Sequence, residues 1–459
     1  MSLTSSLTSR QAKDCIAFVS KELPSLNLRT GFISTETFLS HCYSLASQLP
    51  EKSHIINLCG NRYLFLVSLC AGVLRKQINL LPPNKNLATQ ESLSGRYDDA
   101  YILHDGVSVH DDLYSMNIEG LVLSENFFNW SSDEIEHIPL DQIALISFTS
   151  GSTGNSKPNI KTWQTLLEST KTNRQYMLPE KDKTFHILAT VPGQHMWGLE
   201  TSVLIPLFTP ACLVDSKPLF PADIQHALSS IPEPRALVTT PVHLRALVNS
   251  HFEFSKLDYI LCATAPLNQT LAKQSEVKFE AKLHEVYGCN EIGSMAIRKT
   301  VTESTWLKFD SICFQQEADK IIASTSYLPE PIEMSDQIEL LKNDYFNLLG
   351  RSSDMVNIAG KRGSLTEINS ILLQYEGVED GVVIFPEQGQ VVPRLVAIVV
   401  LKGDATKNEL KQHFRKYLDD IFVPRRIFQV NGLPREENGK LPQKFLDQLY
   451  QKLINKSDD

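Results

Sequence analysis

In this chain, the fold is decided by Ser147-Phe148-Thr149-Ser150-Gly151-Ser152-Thr153-Gly154-Asn155-Ser156-Lys157. An apolar run, Ile143 to Ile146, precedes this stretch and predicts a buried strand. The glycines allow a tight loop whose N–H groups converge on one anion, and the hydroxyls and the lysine add donors and positive charge. The spacing is not that of the P-loop, G-x-x-x-x-G-K-[ST]. A polyphosphate site is therefore one interpretation, and a surface turn rich in Ser and Gly is the other.

Composition limits the class of protein. The chain has 459 residues, of which 42% are hydrophobic and 21% charged, as in globular proteins of two or three domains. A net charge of −9 argues against nucleic acid as a partner. The eight cysteines form no C-x-x-C pair, which argues against a zinc site or a disulfide framework. We find no signal-peptide core and no apolar run of membrane-spanning length, so we expect a cytoplasmic protein without a membrane span.

The order of predicted elements indicates an α/β fold. Residues 11–50 are predicted to be largely helical. A strand over 54–59, a helix over 63–74 and a strand over 78–81 form a βαβ unit with a parallel pair. After the glycine-rich loop, helical stretches alternate with short apolar strands, which predicts doubly wound sheets with helices on both faces. These later strands are predicted at 185–189, 211–214, 236–239 and 259–262.

The pattern changes twice towards the C-terminus. Residues 296–349 show strand-type alternation and predict a small, mostly antiparallel, β-barrel-like subdomain. After residue 350 the pattern becomes α+β, with helices over 365–375 and 407–419, strands over 381–385 and 395–401, and a last helix from Gln443. We therefore predict a core domain over 1–350 and a small mobile lid domain over 351–459, with the hinge at 351–354.

Three polar segments follow predicted strands, where α/β sheets bind their ligands. They are Gln194-His195-Met196-Trp197-Gly198, Cys262-Ala263-Thr264-Ala265-Pro266-Leu267 and Tyr287-Gly288-Cys289-Asn290-Glu291. Glu291 is placed to hold Mg²⁺ beside phosphate oxygens. The ordinary alternatives are a core histidine, a plain turn and a solvated surface glutamate.

Three further segments lie nearer the C-terminus. Asp336 is an acceptor suited to a pair of ribose hydroxyls, with Arg351 following it in the chain. Asn357-Ile-Ala-Gly360-Lys361-Arg362-Gly363 is a basic turn. Leu433-Pro-Arg-Glu-Glu-Asn-Gly-Lys440 contains the tight-turn signal Asn-Gly, which would hold Lys440 on a rigid tip. A solvated basic turn and an exposed lysine are the competing interpretations.

Together these segments resemble, in order, the motifs of the adenylate-forming superfamily. Its phosphate loop is T-S-G-[ST]-[ST]-G-x-P-K, and further motifs are P-x-x-H-x-x-G, G-G-A-P-L, Y-G-x-T-E, T-G-D, G-R, K-x-x-G-x-R and L-P-R-x-x-x-G-K. This chain departs from them at Ser156, which replaces a proline, at Asn290, which replaces a threonine, and at Ser353, which stands at the usual hinge position. The resemblance covers nearly the whole chain, and its phosphate loop and Lys440 motif are the most specific parts.

The resemblance implies a role for each matched residue. Lys440, His195 and Glu291 would be catalytic, Glu291 would also bind Mg²⁺, and Gly360 would line the thiol tunnel. The acid pocket would include His195, Trp197, Cys262, Glu285 and Gly288. The ATP site would be formed by Thr149, Ser150, Gly151, Ser152, Thr153, Gly154, Lys157, Ala263, Thr264, Ala265, Pro266, Tyr287, Gly288, Asn290, Asp336, Arg351 and Arg362.

The implied activity is that of an AMP-forming acid–thiol ligase. ATP activates a carboxylic acid as acyl-AMP with release of pyrophosphate, and a phosphopantetheine thiol then displaces AMP. The short N-terminal lobe and the Glu285-Val-Tyr-Gly sequence are similar to aryl-carrier ligases of aryl-polyene and xanthomonadin pathways. This similarity implies that the acid is hydroxybenzoate-like and that the acceptor is an acyl carrier protein. A set of basic side chains would bind the acidic surface of the carrier. That set is Lys411, Arg415, Lys416, Arg425 and Arg426, and a solvated helix face is its alternative.

Several alternatives remain open on the sequence. The acceptor could be free CoA, or the acid a fatty acid. A P-loop-type kinase or NTPase would release ADP or phosphate instead of AMP and pyrophosphate. The departures at Ser156, Asn290 and Ser353 also allow an inactive module that binds acyl-AMP.

Overall fold

The computed structural model describes residues 3–22, 30–128, 135–148, 158–318, 320–351, 354–358, 361–386, 394–436 and 439–455. The helices, in chain order, are α1 Thr35–Ala46, α2 Arg62–Leu74, α3 Leu87–Arg96, α4 Trp163–Met177, α5 Met196–Leu199, α6 Ile205–Phe208, α7 Pro221–Ser230, α8 Pro241–Val248, α9 Gln269–Phe279, α10 Leu365–Gln374, α11 Lys407–Tyr417 and α12 Gln443–Asn455. A π-helix, Glu200–Leu204, joins α5 to α6, and short 3₁₀ turns lie at Ile118–Gly120 and Asp420–Phe422.

The strands, in chain order, are β1 Thr4–Ser6, β2 Cys15–Val19, β3 Gly31–Ser34, β4 His54–Asn57, β5 Ile78–Leu81, β6 Ala100–His104, β7 Ser115–Asn117, β8 His137–Pro139, β9 Ile143–Phe148, β10 Pro158–Thr162, β11 Phe185–Ala189, β12 Ala211–Val214, β13 Arg235–Thr239 and β14 Tyr259–Cys262. They continue with β15 Lys282–Cys289, β16 Gly293–Arg298, β17 Trp306–Lys308, β18 Ile312–Glu317, β19 Lys320–Thr325, β20 Ile332–Glu333, β21 Asp336–Leu340, β22 Tyr345–Arg351, β23 Met355–Ile358, β24 Lys361–Ser364, β25 Val378–Ile384, β26 Val396–Leu401 and β27 Arg426–Gln429.

The first large sheet contains the strand that precedes the glycine-rich loop. Its strand order is β10-β9-β5-β4-β6-β7, and β4, β5 and β6 run parallel as the βαβ pattern predicts. The helix α2 begins at the cap Asn61, whose side chain accepts hydrogen bonds from the backbone N–H groups of Tyr63 and Leu64. At the sheet edge, β9 and β10 pair antiparallel with Phe148 opposite Pro158. Phe148 and Pro158, which flank residues 149–157 in the sequence, are therefore held next to each other.

The second sheet forms the centre of the molecule. Its strand order is β21-β22-β17-β16-β15-β14-β13-β11-β12-β2-β3, and the five strands from β15 to β12 are parallel. Successive residues on these strands are buried on opposite faces: Leu237 packs in one apolar cluster and Val238 in another. Both faces are therefore covered, which confirms the predicted doubly wound arrangement. Among the described helices, none has an apolar stretch that would span a lipid bilayer.

Two sequence expectations differ from the structure. Residues 11–50 are not largely helical, because β2 and β3 precede α1 and extend the central sheet at its edge, with Ala17 opposite Leu213. The antiparallel strands after residue 293 do not form a separate barrel. Instead β16, β17, β22 and β21 continue the central sheet, while β18, β19 and β20 form a small sheet of their own. The same strand-forming residues suit a separate barrel and an extension of the central sheet, so the alternation in the sequence could not distinguish these two arrangements.

The C-terminal segment is built as predicted from a small sheet with helices. Strands β25, β26 and β27 form a three-stranded sheet, and apolar clusters lie on both of its sides with α10, α11 and α12. Helix α11 begins with a capping box, in which Thr406 and Glu409 each bond the other's backbone N–H. The predicted lid domain therefore contains its own core, while the hinge at 351–354 stays a prediction.

Candidate active site

His195 lies between the central sheet and Lys440. It follows β11 and is the N-cap of α5, so its ring is placed at the carboxyl edge of the parallel strands. Burial, and to a smaller extent the positive charge of Lys440, lower the pKa of His195 to about 3. The ring atom Nδ1 has no hydrogen-bond partner among the described residues. Two motifs far apart in sequence therefore meet, and a neutral imidazole lies beside a cation.

Lys440 is carried by a tight turn. The backbone N–H of Glu436 donates to the carbonyl of Lys440 at 2.8 Å, and that of Gly439 donates to the carbonyl of Glu436 at 2.8 Å. Gly439 has φ +79°, a conformation that glycine adopts without strain. A Cβ at Gly439 would lie only 3.1 Å from Oγ1 of Thr240, the cap of α8. The turn is thus packed against the end of β13.

Trp197 is buried beneath this region. Its indole Nε1 donates to the carbonyl of Thr239 at 3.1 Å, and its ring belongs to the apolar cluster under the carboxyl edge of the sheet. A hydroxyl cluster that the sequence did not reveal lies next to it. Nδ1 of His243 is 3.1 Å from Oγ1 of Thr190 and 3.0 Å from Oγ1 of Thr240. No local pattern marks this cluster, because Thr190 comes from a segment far in sequence from Thr240 and His243.

The Ala263-Thr264-Ala265-Pro266 segment follows β14 at the same edge. Thr264 has φ +80°, which is uncommon for a β-branched residue and is typical of functional sites. Thr264 stands where the superfamily motif has its second glycine, and it keeps a glycine-like backbone. Cys262, by contrast, is fully buried in an apolar core cluster. Its predicted contact with the acid stays a prediction.

The Tyr287 to Glu291 segment forms the end of β15 and the turn into β16. The hydroxyl of Tyr287 donates to Oδ2 of Asp336 at 2.7 Å. Asp336 lies opposite Arg351 in the antiparallel pair β21–β22. The backbone of Gly288 approaches Gly293 so closely that a Cβ would lie 2.3 Å from the carbonyl oxygen of Gly293. Three residues predicted for the ATP site, Tyr287, Gly288 and Asp336, are therefore brought together at one bulged strand.

A buried charged pair supports the Glu291 turn. Nζ of Lys161, on β10, donates to the carbonyl of Glu291, and Glu200 accepts from Oγ of Ser294 at 2.8 Å. Burial lowers the pKa of Lys161 and raises the pKa of Glu200, and each charge opposes the shift of the other. Neither side chain was predicted from the sequence; for Glu200 the available signal was a charge within an apolar run. Lys161 connects the strand after the glycine-rich loop to the predicted metal turn.

Glu285 has structural contacts on every side. Its carboxylate accepts from the backbone N–H of Leu267 at 3.0 Å, from Nε of Arg298 at 2.8 Å and from Oγ1 of Thr300 at 2.7 Å. Only 3% of its side chain is exposed. These contacts fix the loop after β14, and its predicted place in the acid pocket stays a prediction.

Some predicted site residues lie outside the described residues. They are Thr149, Ser150, Gly151, Ser152, Thr153, Gly154, Lys157 and Gly360, together with the side chains of Arg351 and Arg362. In the part of the chain that is described, no three His, Cys, Asp or Glu side chains are grouped to hold a metal ion. Glu291 lies in the β15–β16 turn, where a metal ion shared with phosphate oxygens would be bound.

The described part of the predicted site contains Nδ1 of His195, which has no partner among the described residues, the cation of Lys440 close to it, and the hydrogen-bonded pair Tyr287 and Asp336. Their roles towards a nucleotide and an acid stay predictions. The fold and these converging motifs define the class of adenylate-forming enzymes. The chain belongs to the AMP-binding enzyme family: the model of that family matches residues 42–313, and the model of the AMP-binding enzyme C-terminal domain matches residues 367–440.

Similar proteins are found in both sequence and structure. A segment of 111 residues is 34% identical to bacitracin synthase 1 of Bacillus licheniformis, and this is 24% of the chain but 2% of that much longer protein. A 3,4-dihydroxybenzoate–[aryl-carrier protein] ligase of Bacillus anthracis is 22% identical over 349 residues, which are 72% of this chain and 80% of the ligase.

The fold prediction is confirmed by solved structures. The anthranilate CoA ligase AuaEII in complex with anthranoyl-AMP has a TM-score of 0.78 and 14% identity, with 96% of this chain and 94% of that chain covered. The o-succinylbenzoate CoA synthetase MenE of Bacillus subtilis in complex with ATP and a magnesium ion has a TM-score of 0.76 and 15% identity, with 95% and 97% covered. The family prediction is thus confirmed, and the aryl-polyene subtype stays a prediction.

Proposed function

We propose that this protein is an AMP-forming acid–thiol ligase that acts on a small aromatic acid. In the first step, a carboxylate oxygen attacks the α-phosphorus of ATP and the bond to the β-phosphate breaks, which yields acyl-AMP and pyrophosphate. In the second step, a phosphopantetheine thiol loses its proton and attacks the acyl carbon, and AMP leaves. The observation that carries this proposal is the position of Lys440 beside His195 at the carboxyl edge of the central sheet.

Each group has a task in the first step. Lys440 is a cation placed where negative charge develops between the carboxylate and the α-phosphate, and such stabilisation is often the largest catalytic contribution. Glu291 binds Mg²⁺, while Lys157 and the hydroxyls of the glycine-rich loop hold the outer phosphates. Asp336 and Arg351 hold the ribose, and His195 and Trp197 provide rings against which an aromatic acid packs.

The acid and the acceptor are the finer part of the proposal. We propose a hydroxybenzoate-like acid and an acyl carrier protein, which the name of the Bacillus anthracis relative supports. Free CoA is the second candidate acceptor, because another relative is named a putative long chain fatty acid-CoA ligase. The side chains of Arg415, Lys416, Arg425 and Arg426 are exposed, and their positive charge would suit an acidic carrier.

The test measures the two half-reactions separately. Acid-dependent exchange between ATP and labelled pyrophosphate, run with benzoates, cinnamates and fatty acids, reports adenylation and identifies the acid. Lys440→Ala should abolish this exchange and leave thiolysis of supplied acyl-AMP largely intact, while Lys444→Ala, an exposed lysine of the same domain, should behave as wild type. Equal loss of both steps in Lys440→Ala would contradict the role of Lys440.

Supplied acyl-AMP also identifies the acceptor. Thioester formation with a phosphopantetheinylated carrier protein at a higher kcat/KM than with CoA would support the carrier, and the reverse order would support a CoA ligase. Release of ADP or phosphate without pyrophosphate exchange would refute the ligase assignment itself.

A further inference from the structure

Three charged side chains connect the core domain to the Lys440 turn. Arg435, on the lid, donates through Nε to Oδ2 and through NH2 to Oδ1 of Asp380, both at 2.7 Å. Its third nitrogen, NH1, donates to the carbonyl of Gly439 at 3.0 Å. A bidentate arginine–carboxylate pair has a fixed geometry, so Arg435 holds the residue next to Lys440 in a defined place.

The contact continues across the domain boundary to Arg245. This residue is on α8 of the core, and its NH1 donates to the carbonyl of Glu379 at 2.5 Å and lies 3.9 Å from Oδ1 of Asp380. The side chains of Arg245, Asp380 and Arg435 are only 14%, 19% and 18% exposed. Because they are largely shielded from water, removal of one partner leaves an uncompensated charge and costs more than the loss of a surface ion pair.

Helix α8 contacts the lid at two points. Its cap Thr240 packs against Gly439, and Arg245, in its second turn, binds β25. Other polar contacts between the domains have no connection to the Lys440 turn. Nδ2 of Asn268 donates to the carbonyl of Leu373 at 2.8 Å, and Nζ of Lys402 lies 3.5 Å from Oδ1 of Asn249. Of these three polar contacts between the domains, the one through Arg245 leads, by way of Asp380 and Arg435, to the residue next to the proposed catalytic lysine.

We propose that Arg245 is a positioning residue for adenylation: it anchors Asp380, and through Arg435 it holds the Gly439–Lys440 turn over the phosphate site. The proposal rests on the proposed function of Lys440. If the lid turns away before the thiol reacts, Arg245 must release Asp380 and Glu379, and the thiol step then proceeds without this anchor. The arginine thus favours one lid orientation and serves one of the two half-reactions.

The test compares Arg245→Gln with Lys402→Gln, which removes a contact between the domains that does not lead to Lys440. Misplacing a reacting group by about 1 Å costs up to about 100-fold in rate, so Arg245→Gln should lower the kcat of pyrophosphate exchange by about 10- to 100-fold. The KM values for ATP and the acid, and thiolysis of supplied acyl-AMP, should stay within about twofold of wild type. Lys402→Gln should leave both steps unchanged.

Two more variants keep the test decisive. Arg245→Lys retains the charge and one donor and should recover part of the exchange rate. Asp380→Asn weakens the same contact from the lid side and should lower pyrophosphate exchange in the same way. It replaces Arg245→Gln in the test if Arg245→Gln folds poorly. An Arg245→Gln enzyme that folds and exchanges pyrophosphate at the wild-type rate, or one that loses both half-reactions equally, would overturn the proposal.

A measurement that needs no activity separates this proposal from the proposed function. In Arg245→Gln, hydrogen exchange at the amide of Gly439 should become faster, because the turn loses its anchor, and in Lys402→Gln it should not. If the wild-type protein activates no acid but Gly439 exchanges faster in Arg245→Gln than in Lys402→Gln, the proposed function is refuted and the role of Arg245 in holding the turn is supported. If Gly439 exchanges equally in both variants, the anchor is refuted.

Discussion

Substitution of Glu285 separates a structural role from a role in acid recognition. Its carboxylate holds Leu267, Arg298 and Thr300 together and is almost wholly buried. Loss of the carboxylate leaves the guanidinium of Arg298 without its ion-pair partner. The ring of Trp306, 4.4 Å from that guanidinium, and the carbonyl of Ser304 remain as contacts. Glu285→Ala should therefore destabilise the core domain without redirecting substrate choice.

The size of the effect follows from the burial of the pair. Removing one partner of a buried ion pair costs about 3–5 kcal/mol. The side chain of Arg298 is 18% exposed and regains some water, so we expect the lower end, about 3 kcal/mol. With an unfolding entropy of about 2.1 cal/mol/K per residue over about 350 residues, 1 kcal/mol corresponds to about 1.4 °C, and Tm should fall by about 4 °C.

Calorimetry on purified protein measures this change directly. Glu317→Ala is a suitable control, because this exposed glutamate should change the free energy of unfolding by less than about 0.5 kcal/mol. The ratios of kcat/KM among the accepted acids should be the same in Glu285→Ala as in wild type. An unchanged Tm together with a new acid preference would refute the structural role and place Glu285 in the acid pocket.

Two other predictions concern backbone packing and pH. Gly288→Ala should lower the free energy of unfolding by about 1–3 kcal/mol and reduce pyrophosphate exchange, because the new Cβ would overlap the carbonyl of Gly293. As a control, Gly95→Ala adds a Cβ into open space on α3 and should leave Tm, measured by calorimetry, unchanged or higher. Burial holds four histidines neutral, with folded pKa values below the usual 6.5, so the unfolded chain binds more protons below pH 6.5. These rings should leave the free energy of unfolding unchanged above about pH 7 and lower it between pH 6.5 and 4, by about 2 kcal/mol per ring at pH 5. His243→Gln should make this decrease shallower. The same slope in that variant would contradict the lowered pKa of His243. The four are His41, with a pKa of about 4, His195, about 3, and His243 and His284, each about 4.

Local patterns were sufficient for the parallel core. Strands β12 and β14 lie where short apolar runs between polar segments predicted them, because a strand buried on both faces reads as a continuous apolar run. The strand β2 was missed for a different reason. Its sequence, Cys-Ile-Ala-Phe-Val, joins the central sheet only by pairing with β12, nearly 200 residues later. A pairing of that range leaves no periodicity in the local sequence.

The candidate active site likewise contains residues that the sequence predicted and contacts that it could not predict. Motif order placed His195 and Lys440 in one prediction, and their electrostatic contact agrees with it. The contacts of Lys161 with Glu291 and of Arg245 with Asp380 could not be predicted, because each joins segments far apart in the sequence. The contacts of Glu285 were hidden as well, since a glutamate within a motif gives no sign of whether it faces a ligand or a loop.

The low pKa of His195 bears on how Lys440 can act. At neutral pH a protonated imidazole beside Lys440 would repel the lysine and compete with it for an anion. Burial prevents this, because it lowers the pKa of His195 to about 3 and leaves Lys440 as the cation at that point. The same burial leaves Nδ1 without a partner among the described residues, so a neutral ring can still exchange a hydrogen bond with a bound carboxylic acid. On the proposed function, we therefore expect the buried, neutral histidine to contact the acid and the lysine to stabilise the charge that its reaction creates.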